Sequence, residues 1–276
     1  MGDFFISIDE LKSRIGTRSA PLLFDVCRAK AFGEECRTLP GARWREHTKV
    51  AEWAARLPAN AEVVTYCVHG HNVSQLATSA LREMGIRAQA LEGGIEAWKA
   101  AGAPTLRKSA LTARSDGKPT RWVTRVRPKI DRIACPWLVK RFVDPSAEFY
   151  FVAADQVMPV AEELGGIPYD IEGVELAHVG DGCTFDTLIE RLGLVDPALA
   201  VLARIVRGAD TGRPDLAPES AGLLAMSRGL SALSGDDDRA AVEQGLLFYD
   251  CLYAWAGHAR AETHGRAPKH RGNHRT

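Results

Sequence analysis

Between residues 4 and 104, short apolar runs alternate with helix-spaced segments, and this alternation restricts the fold more than any other feature of the chain. Leu22-Leu23-Phe24-Asp25-Val26 and Val63-Val64-Thr65-Tyr66 lack the in-out pattern of a strand that faces water on one side, so they read as strands covered on both faces. Phe4-Phe5-Ile6 and Ala88-Gln89-Ala90-Leu91 read as two further short strands. The helices lie between them. Ser7 or Asp9 opens a helix carrying Leu11 and Ile15. Thr48 opens one carrying Val50, Trp53, Ala54 and Leu57, stopped at Pro58. Ser74 starts another with Leu76, Ala77, Ala80, Leu81 and Met84, closed by Gly85. A last helix over residues 95–101 follows the Gly93-Gly94 turn and ends at Gly102. Strand–helix repetition of this kind predicts an α/β domain with a mostly parallel sheet.

Ligands of parallel sheets bind at the carboxyl ends of the strands. Two chemically loaded stretches fall there: Asp25 with Cys27 and Arg28, and Cys67 with the polar turn that follows it. A loop that runs from a strand into a helix start directs backbone N–H groups at whatever lies above it, and a thiolate held there is stabilised. Cys67 is therefore the candidate nucleophile. Val68, His69, Gly70, His71, Asn72, Val73 and Ser74 form its candidate anion-binding loop, with Asp25 and Arg28 expected to hold that loop by an ion pair. Burial of Cys67 as a small core hydrophobe is the alternative. Cys27 and Cys36 are placed either as resolving thiols or as ordinary buried ones.

This half of the chain resembles the rhodanese family. The matching residues are Phe24-Asp25-Val26-Cys27-Arg28 with Ala31-Phe32, Leu39-Pro40-Gly41-Ala42, Cys67-x-x-Gly70 with Ser74, and Leu91-Glu92-Gly93-Gly94-Ile95-x-x-Trp98. The resemblance implies a sulfurtransferase in which Cys67 carries a persulfide between a donor such as thiosulfate and an acceptor thiol or cyanide, with no cofactor required. The helix pattern begins one residue later than in the usual six-residue loop. A longer loop is similar to that of the phosphatases and arsenate reductases of this fold, which carry Cys-x5-Arg; Val73 stands where that Arg would be. Val68 and Val73 occupy slots often charged in single-domain members, leaving His69 and His71 as the titratable loop groups.

The 276 residues favour two domains. Residues 105–120 are polar and basic, with Pro104 before them and Pro119 within them, and read as a linker that permits many domain arrangements. A second, helix-rich α+β domain is expected over residues 121–256, and a disordered tail rich in His and Arg over 257–276. In the second domain Trp122-Val123-Thr124-Arg125-Val126 alternates like a half-exposed strand, and Glu148-Phe149-Tyr150-Phe151-Val152 reads as another. Helix spacing appears over residues 131–143, 184–192, 196–207, 218–233 and 237–255, with Pro136 expected in a first turn.

Arg125, Arg127, Lys129 and Arg132 precede that Pro136, so they form a candidate oxyanion site at a helix start, with Cys135 as a second activated thiol. A solvated basic edge is the alternative. His178, Asp181, Cys183 and Asp210 offer mixed nitrogen, oxygen and sulfur ligands for a transition metal; a network of turn and cap residues is the competing expectation. Three stretches, residues 121–138, 175–186 and 205–211, resemble the C-terminal domain of the ChrB family of chromate-resistance proteins. That resemblance implies chromate as a candidate ligand. Better-known members carry a DNA-binding region where this chain has its rhodanese-like half.

Lys and Arg total 35 and so do Asp and Glu, so no global basic field points to nucleic acid or an anionic membrane. Six scattered cysteines without a C-x-x-C pair fit reduced thiols in a cytoplasm. The leading functional reading is a cytoplasmic sulfurtransferase linked to a chromate-resistance domain; the rival is a non-catalytic chromate or oxidant sensor or regulator.

Overall fold

The computed structural model of the protein describes residues 3–111 and 118–261. The first half is built on strands β1 (Phe5–Ile6), β2 (Leu22–Asp25), β4 (Arg43–Trp44), β5 (Glu62–Tyr66) and β6 (Arg87–Leu91). All pair in parallel, in the order β1-β6-β5-β2-β4, with β5 at the centre. Helices α1 (Ile8–Arg14), α2 (Ala29–Glu34), α3 (Val50–Ala54), α4 (Asn72–Glu83) and α5 (Gly94–Ala100) cover it.

The missing alternation in β2 and β5 is explained by the two cores. Phe24 and Val63 pack with Val50, Trp53 and Ala54 of α3 and with Ala77 and Leu81 of α4. The residues between them, Leu23, Val64 and Tyr66, face Leu11 of α1 and Ile95 and Trp98 of α5. Both faces are buried, so both sets of side chains are apolar. Ser7 caps α1 as expected, its hydroxyl accepting from the Glu10 amide at 3.1 Å. The short elements α2, β3 (Arg37–Thr38), β4 and β7 (Leu106–Arg107) carry no periodic signal, being two to six residues long.

The second half holds a three-stranded parallel sheet, order β10-β8-β9, from β8 (Arg121–Arg125), β9 (Glu148–Val152) and β10 (Ile167–Pro168). Helix α6 (Asp131–Leu138) runs on into a π-helical turn over Val139–Val143. It is followed by α7 (Val157–Leu164), α8 (Thr184–Leu192), α9 (Pro197–Asp210), α10 (Ser220–Ser234) and α11 (Asp238–Ala254). β8 is the central strand and is not half-exposed: Trp122 enters the large core, while Val123 packs under Val157 and Ala161 of α7. Pro136 lies well inside α6, because the helix opens at Asp131. Cys135 is accordingly mid-helix and away from the N-terminal amides.

The described part of the expected linker is docked. β7 pairs antiparallel with β3, and the Trp98 indole donates to the Pro104 carbonyl at 2.8 Å. One continuous core includes Trp98 and Leu106 from the first half and Trp137, Phe142 and Tyr249 from the second. Arg43 meets Asp144 at 2.8 Å, Arg37 donates to the Gly193 carbonyl at 2.6 Å, and Arg18 meets Asp250 at 2.8 Å, so the two halves are packed together. Residues 112–117 of the linker and 262–276 of the expected disordered tail lie outside the described residues; His258 is exposed in a π-helical turn after α11. Among the described residues no helix is long and apolar enough to cross a membrane.

Candidate functional site

Cys67 follows the last residue of central strand β5, and its loop is shaped by α5. The Ile95 amide donates to the Cys67 carbonyl at 3.0 Å, and the Glu96 amide donates to the Val68 carbonyl at 3.1 Å. This contact needs glycines. A Cβ on Gly94, whose φ is +61°, would lie 2.2 Å from the Cys67 oxygen and 2.5 Å from the Gly70 nitrogen. The Gly70 carbonyl is taken by the Gln75 side chain at 3.0 Å, and the His71 carbonyl by the Ser74 hydroxyl at 3.2 Å. With its carbonyls engaged on the protein side, the loop keeps its donors free: among the described residues, no hydrogen bond is made by the backbone N–H groups of residues 68 to 73. A run of unpaired amides is an anion-binding concavity.

The loop opens on a pocket of about 270 Å³ lined by Cys67, Val68, His69, His71, Asn72 and Val73 from one side and by Cys27, Arg28 and Ala31 from the other. Cys67 is 7% exposed and borders this pocket, with Sγ 3.3 Å from the Ser74 hydroxyl. His69 and His71 are exposed, their rings 6.2 Å apart. α4 starts at Asn72, two residues before the expected Ser74, with His71 at its cap; Ser74 is buried in the first turn. The loop is therefore not lengthened toward the phosphatase pattern. Val73 is apolar because it packs against the core between α3 and α4.

Asp25 ends β2, directly beside Tyr66 of β5. It is buried and accepts from the Cys27 amide at 2.9 Å. Among the described residues no ion pair joins it to Arg28, which is exposed at the pocket rim, so the expected Asp25–Arg28 pair is corrected. Burial pushes the Asp25 carboxyl up, against its hydrogen bonds to Cys27. Burial and then Asp25 push the Cys27 thiol far above its ordinary range, which makes it a poor nucleophile beside Cys67. Cys36 is exposed on the segment before β3.

A second concentration of chemistry lies at the carboxyl end of β8 and the start of α6. The His178 Nε2 atom sits 3.1 Å from Asp131, 3.4 Å from Asp170 and 3.3 Å from Asp210. Asp131 and Asp170 are buried. Asp170 also receives Arg125 at 3.0 Å, Arg132 at 3.1 Å and the Thr184 hydroxyl at 3.0 Å. The hydrogen bond to Asp131 outweighs burial and holds His178 protonated up to about 9, while burial and Asp131 push Asp210 up to about 8. Cys183, wholly buried, faces Asp131 and Asp210 and donates to Asp186 at 3.4 Å. Asp186 also takes a two-pronged Arg207 contact at 2.7 and 2.9 Å. Two residues around this cluster have left-handed backbones: Ile130, at φ +40°, and Asp170, at φ +54°. A β-branched residue is strained there, and such strain collects at functional sites.

Comparison with known proteins separates the two halves. The family model described as rhodanese-like domain matches residues 7–101, and the one described as ChrB, C-terminal domain, matches residues 122–256. The chain joins a rhodanese-like domain to a ChrB C-terminal domain. A curated relative, Protein ChrB of Cupriavidus metallidurans, is 34% identical over 133 residues, which cover 48% of this chain and 39% of that protein's length. Among solved structures, a rhodanese-related protein from Thermoplasma volcanium is similar at 22% identity, covering 38% of this chain and 98% of its own, with a TM-score of 0.33. A rhodanese-like domain protein from Staphylococcus aureus is similar at 23% identity, covering 35% and 91%, with a TM-score of 0.31.

In the ChrB C-terminal domain the residues singled out from sequence are partly regrouped. Arg125 and Arg132 do not form an open oxyanion site, because both are held on Asp170. Arg127 turns to Asp236 and gives its amide to Asp238, and Lys129 is exposed. Cys135 is 1% exposed and burial raises its thiol well above the ordinary range, so it is not an activated thiol. Asp210 meets His178 and lies near Cys183, but Asp181 is exposed and outside the group. Asp131 and Asp170 take its place. Asp131 lies in the basic stretch, where its local signal is only that of a helix start; Asp170 lies in a segment without any periodic or motif signal.

Proposed function

We propose that the rhodanese-like domain is a sulfurtransferase with Cys67 as the nucleophile. The Cys67 thiolate attacks the outer sulfur of thiosulfate or a comparable sulfane donor. A sulfur–sulfur bond forms to Cys67, the bond within the donor breaks, and sulfite leaves with the electron pair. An acceptor thiolate then attacks the terminal persulfide sulfur and Cys67 leaves as thiolate. The observation that carries this reading is the run of unpaired amides at residues 68–73 around a pocket whose floor includes Cys67. Those donors stabilise negative charge on the donor and on the persulfide, with no metal in the step. On this reading the sulfur chemistry serves chromate resistance in the cytoplasm, which the match to the ChrB C-terminal domain supports.

The rival reading, a non-catalytic thiol sensor, draws on Cys27 bordering the same pocket as Cys67. Thiosulfate separates the two. Exposure to it is expected to add about 32 Da, one sulfur atom, to the Cys67 peptide, followed by turnover to an acceptor thiol. An unchanged turnover in Cys67→Ser would refute the assignment.

A further inference from the structure

We propose that the ChrB C-terminal domain contains a binding site for one divalent first-row metal ion, formed by Asp131, Asp170 and His178, with Asp210 beside it. The site is distinct from the Cys67 pocket and does not depend on sulfur transfer. Three carboxylates from three separate elements, the start of α6, the segment after β10 and the end of α9, converge on one imidazole nitrogen at 3.1, 3.4 and 3.3 Å. A protonated Nε2 has a single hydrogen and cannot serve three acceptors in good geometry. Oxygen and nitrogen ligands about 2.0–2.2 Å from an ion stand roughly 3–3.5 Å from one another; the His178–carboxylate separations fall in that span, and the ligand atoms of Asp131, Asp170 and His178 all lie within 4.8 Å of one another.

A second observation points the same way. The Tyr169 phenol is 1% exposed, and its hydroxyl has no hydrogen-bond partner among the described residues. Tyr169 precedes Asp170 in the chain, and Cys135, Asp131 and Asp170 act on its hydroxyl electrostatically. A buried hydroxyl beside carboxylates that neither donates nor accepts requires an explanation. A metal-bound water at the cluster supplies one. The His178 side chain is 44% exposed, so the site has an entry path and an open side for water or an external ligand.

The donor set selects the class of ion. Two carboxylates and one imidazole, completed by water, suit manganese, iron, cobalt or zinc as divalent ions, and the nitrogen argues against a calcium site. Cys183 lies within 4.8 Å of the Asp131 and Asp210 ligand atoms, but its thiol is engaged with Asp186 and is not assigned as a ligand. The remaining carboxylate charge is carried by Arg125 and Arg132, which hold Asp170 in place from outside, as supporting partners of a metal ligand do.

The test uses the full chain, stripped with chelator and titrated separately with manganese, cobalt and zinc. Calorimetry, elemental analysis after gel filtration and thermal melting are read together. Wild type is expected to take up one equivalent at this site and to melt higher with metal. His178→Gln and Asp170→Asn are expected to weaken that event at least tenfold, whereas Asp181→Asn leaves it unchanged. Cobalt is expected to give visible absorption without an intense near-ultraviolet thiolate band. His178→Gln alters a half-exposed side chain and keeps the test readable if Asp170→Asn fails to fold. Absence of stoichiometric binding to wild type overturns the proposal. So does binding that survives His178→Gln, which would place the ion elsewhere on the chain, or a thiolate band, which would replace the assigned donor set.

Discussion

Gly94 is the hinge between α5 and the Cys67 loop, and replacing it isolates how much that contact contributes. Gly94→Ala introduces a Cβ that would lie 2.2 Å from the Cys67 carbonyl oxygen and 2.6 Å from that of Val68. Both oxygens must retreat, and both are acceptors for α5 amides, at 3.0 and 3.1 Å. Holding alanine in the left-handed region costs about 1–2 kcal/mol. Losing the two hydrogen bonds adds about 1 kcal/mol each. The expected destabilisation is therefore about 3–4 kcal/mol. Gly102 supplies the matched control: its φ is also +61°, yet nothing lies within 4 Å of a Cβ built on it. Gly102→Ala carries only the backbone cost, about 1–2 kcal/mol. The two urea midpoints, converted with a common slope, should differ by about 2 kcal/mol. Displacing the loop by about 1 Å also moves Cys67 and its amides off their geometry, so kcat/KM for thiosulfate should fall by about 100-fold in Gly94→Ala alone. Equal midpoints and equal rates in the two variants would show that α5 does not set the loop, and the account of the free amides would fail with it.

Ser74→Ala removes the hydroxyl 3.3 Å from the Cys67 sulfur, whose single hydrogen can turn from the His71 carbonyl to the thiolate, and one such hydrogen bond to a thiolate is worth about 1.5 kcal/mol. Sulfur transfer should fall by about tenfold while the fold is retained; a rate within about twofold of wild type, with unchanged circular dichroism, counts against the contact. Asp25 has its carboxyl raised by burial from the ordinary 3.8, so its ionised form is disfavoured in the folded chain. Its contribution is fully present below about pH 3.8 and is lost as pH rises through the folded value. Asp25→Asn keeps an acceptor for the Cys27 amide and stays neutral, so its stability relative to wild type should increase from about pH 4 upward and then level off. A pH-independent difference in denaturation midpoints would contradict this. Asp186→Ala removes both the N-terminal cap of α8 at Cys183 and the Arg207 partner. A lost cap costs about 1 kcal/mol and a partly exposed ion pair up to about 1 kcal/mol, so denaturation should show a loss of about 2 kcal/mol. A loss below about 0.5 kcal/mol would mean that the α8 start is held by packing instead.

The sequence by itself determined the parallel sheet and the end of it where Cys67 lies. β2 and β5 are apolar on both faces because helices cover both faces, and that composition can be read residue by residue along the chain. Cys67 stands where a strand runs into a helix, and local order alone places it at a carboxyl end. Residues 148–152 and 184–192 were equally legible, since β-branched and aromatic runs and capped helix periods are local signals. Elements of two to six residues such as β3, β4 and α2 were not, because their pairing partners lie far along the chain or they are too short to show a period.

Only the tertiary structure decided which charges meet. The cationic stretch at residues 125–132 has the composition of an open anion site, yet Arg125 and Arg132 are folded onto Asp170, some forty residues later. His178 and Asp210 stand out as polar residues, but Asp131 and Asp170 join them only through the packing of β8, α6 and α9. Cys135, close to a helix start by sequence, is sealed because α6 begins four residues earlier. Propensity and periodicity act over a few residues, whereas the convergence of like charges on one imidazole is set by how whole elements pack, and no local pattern records it.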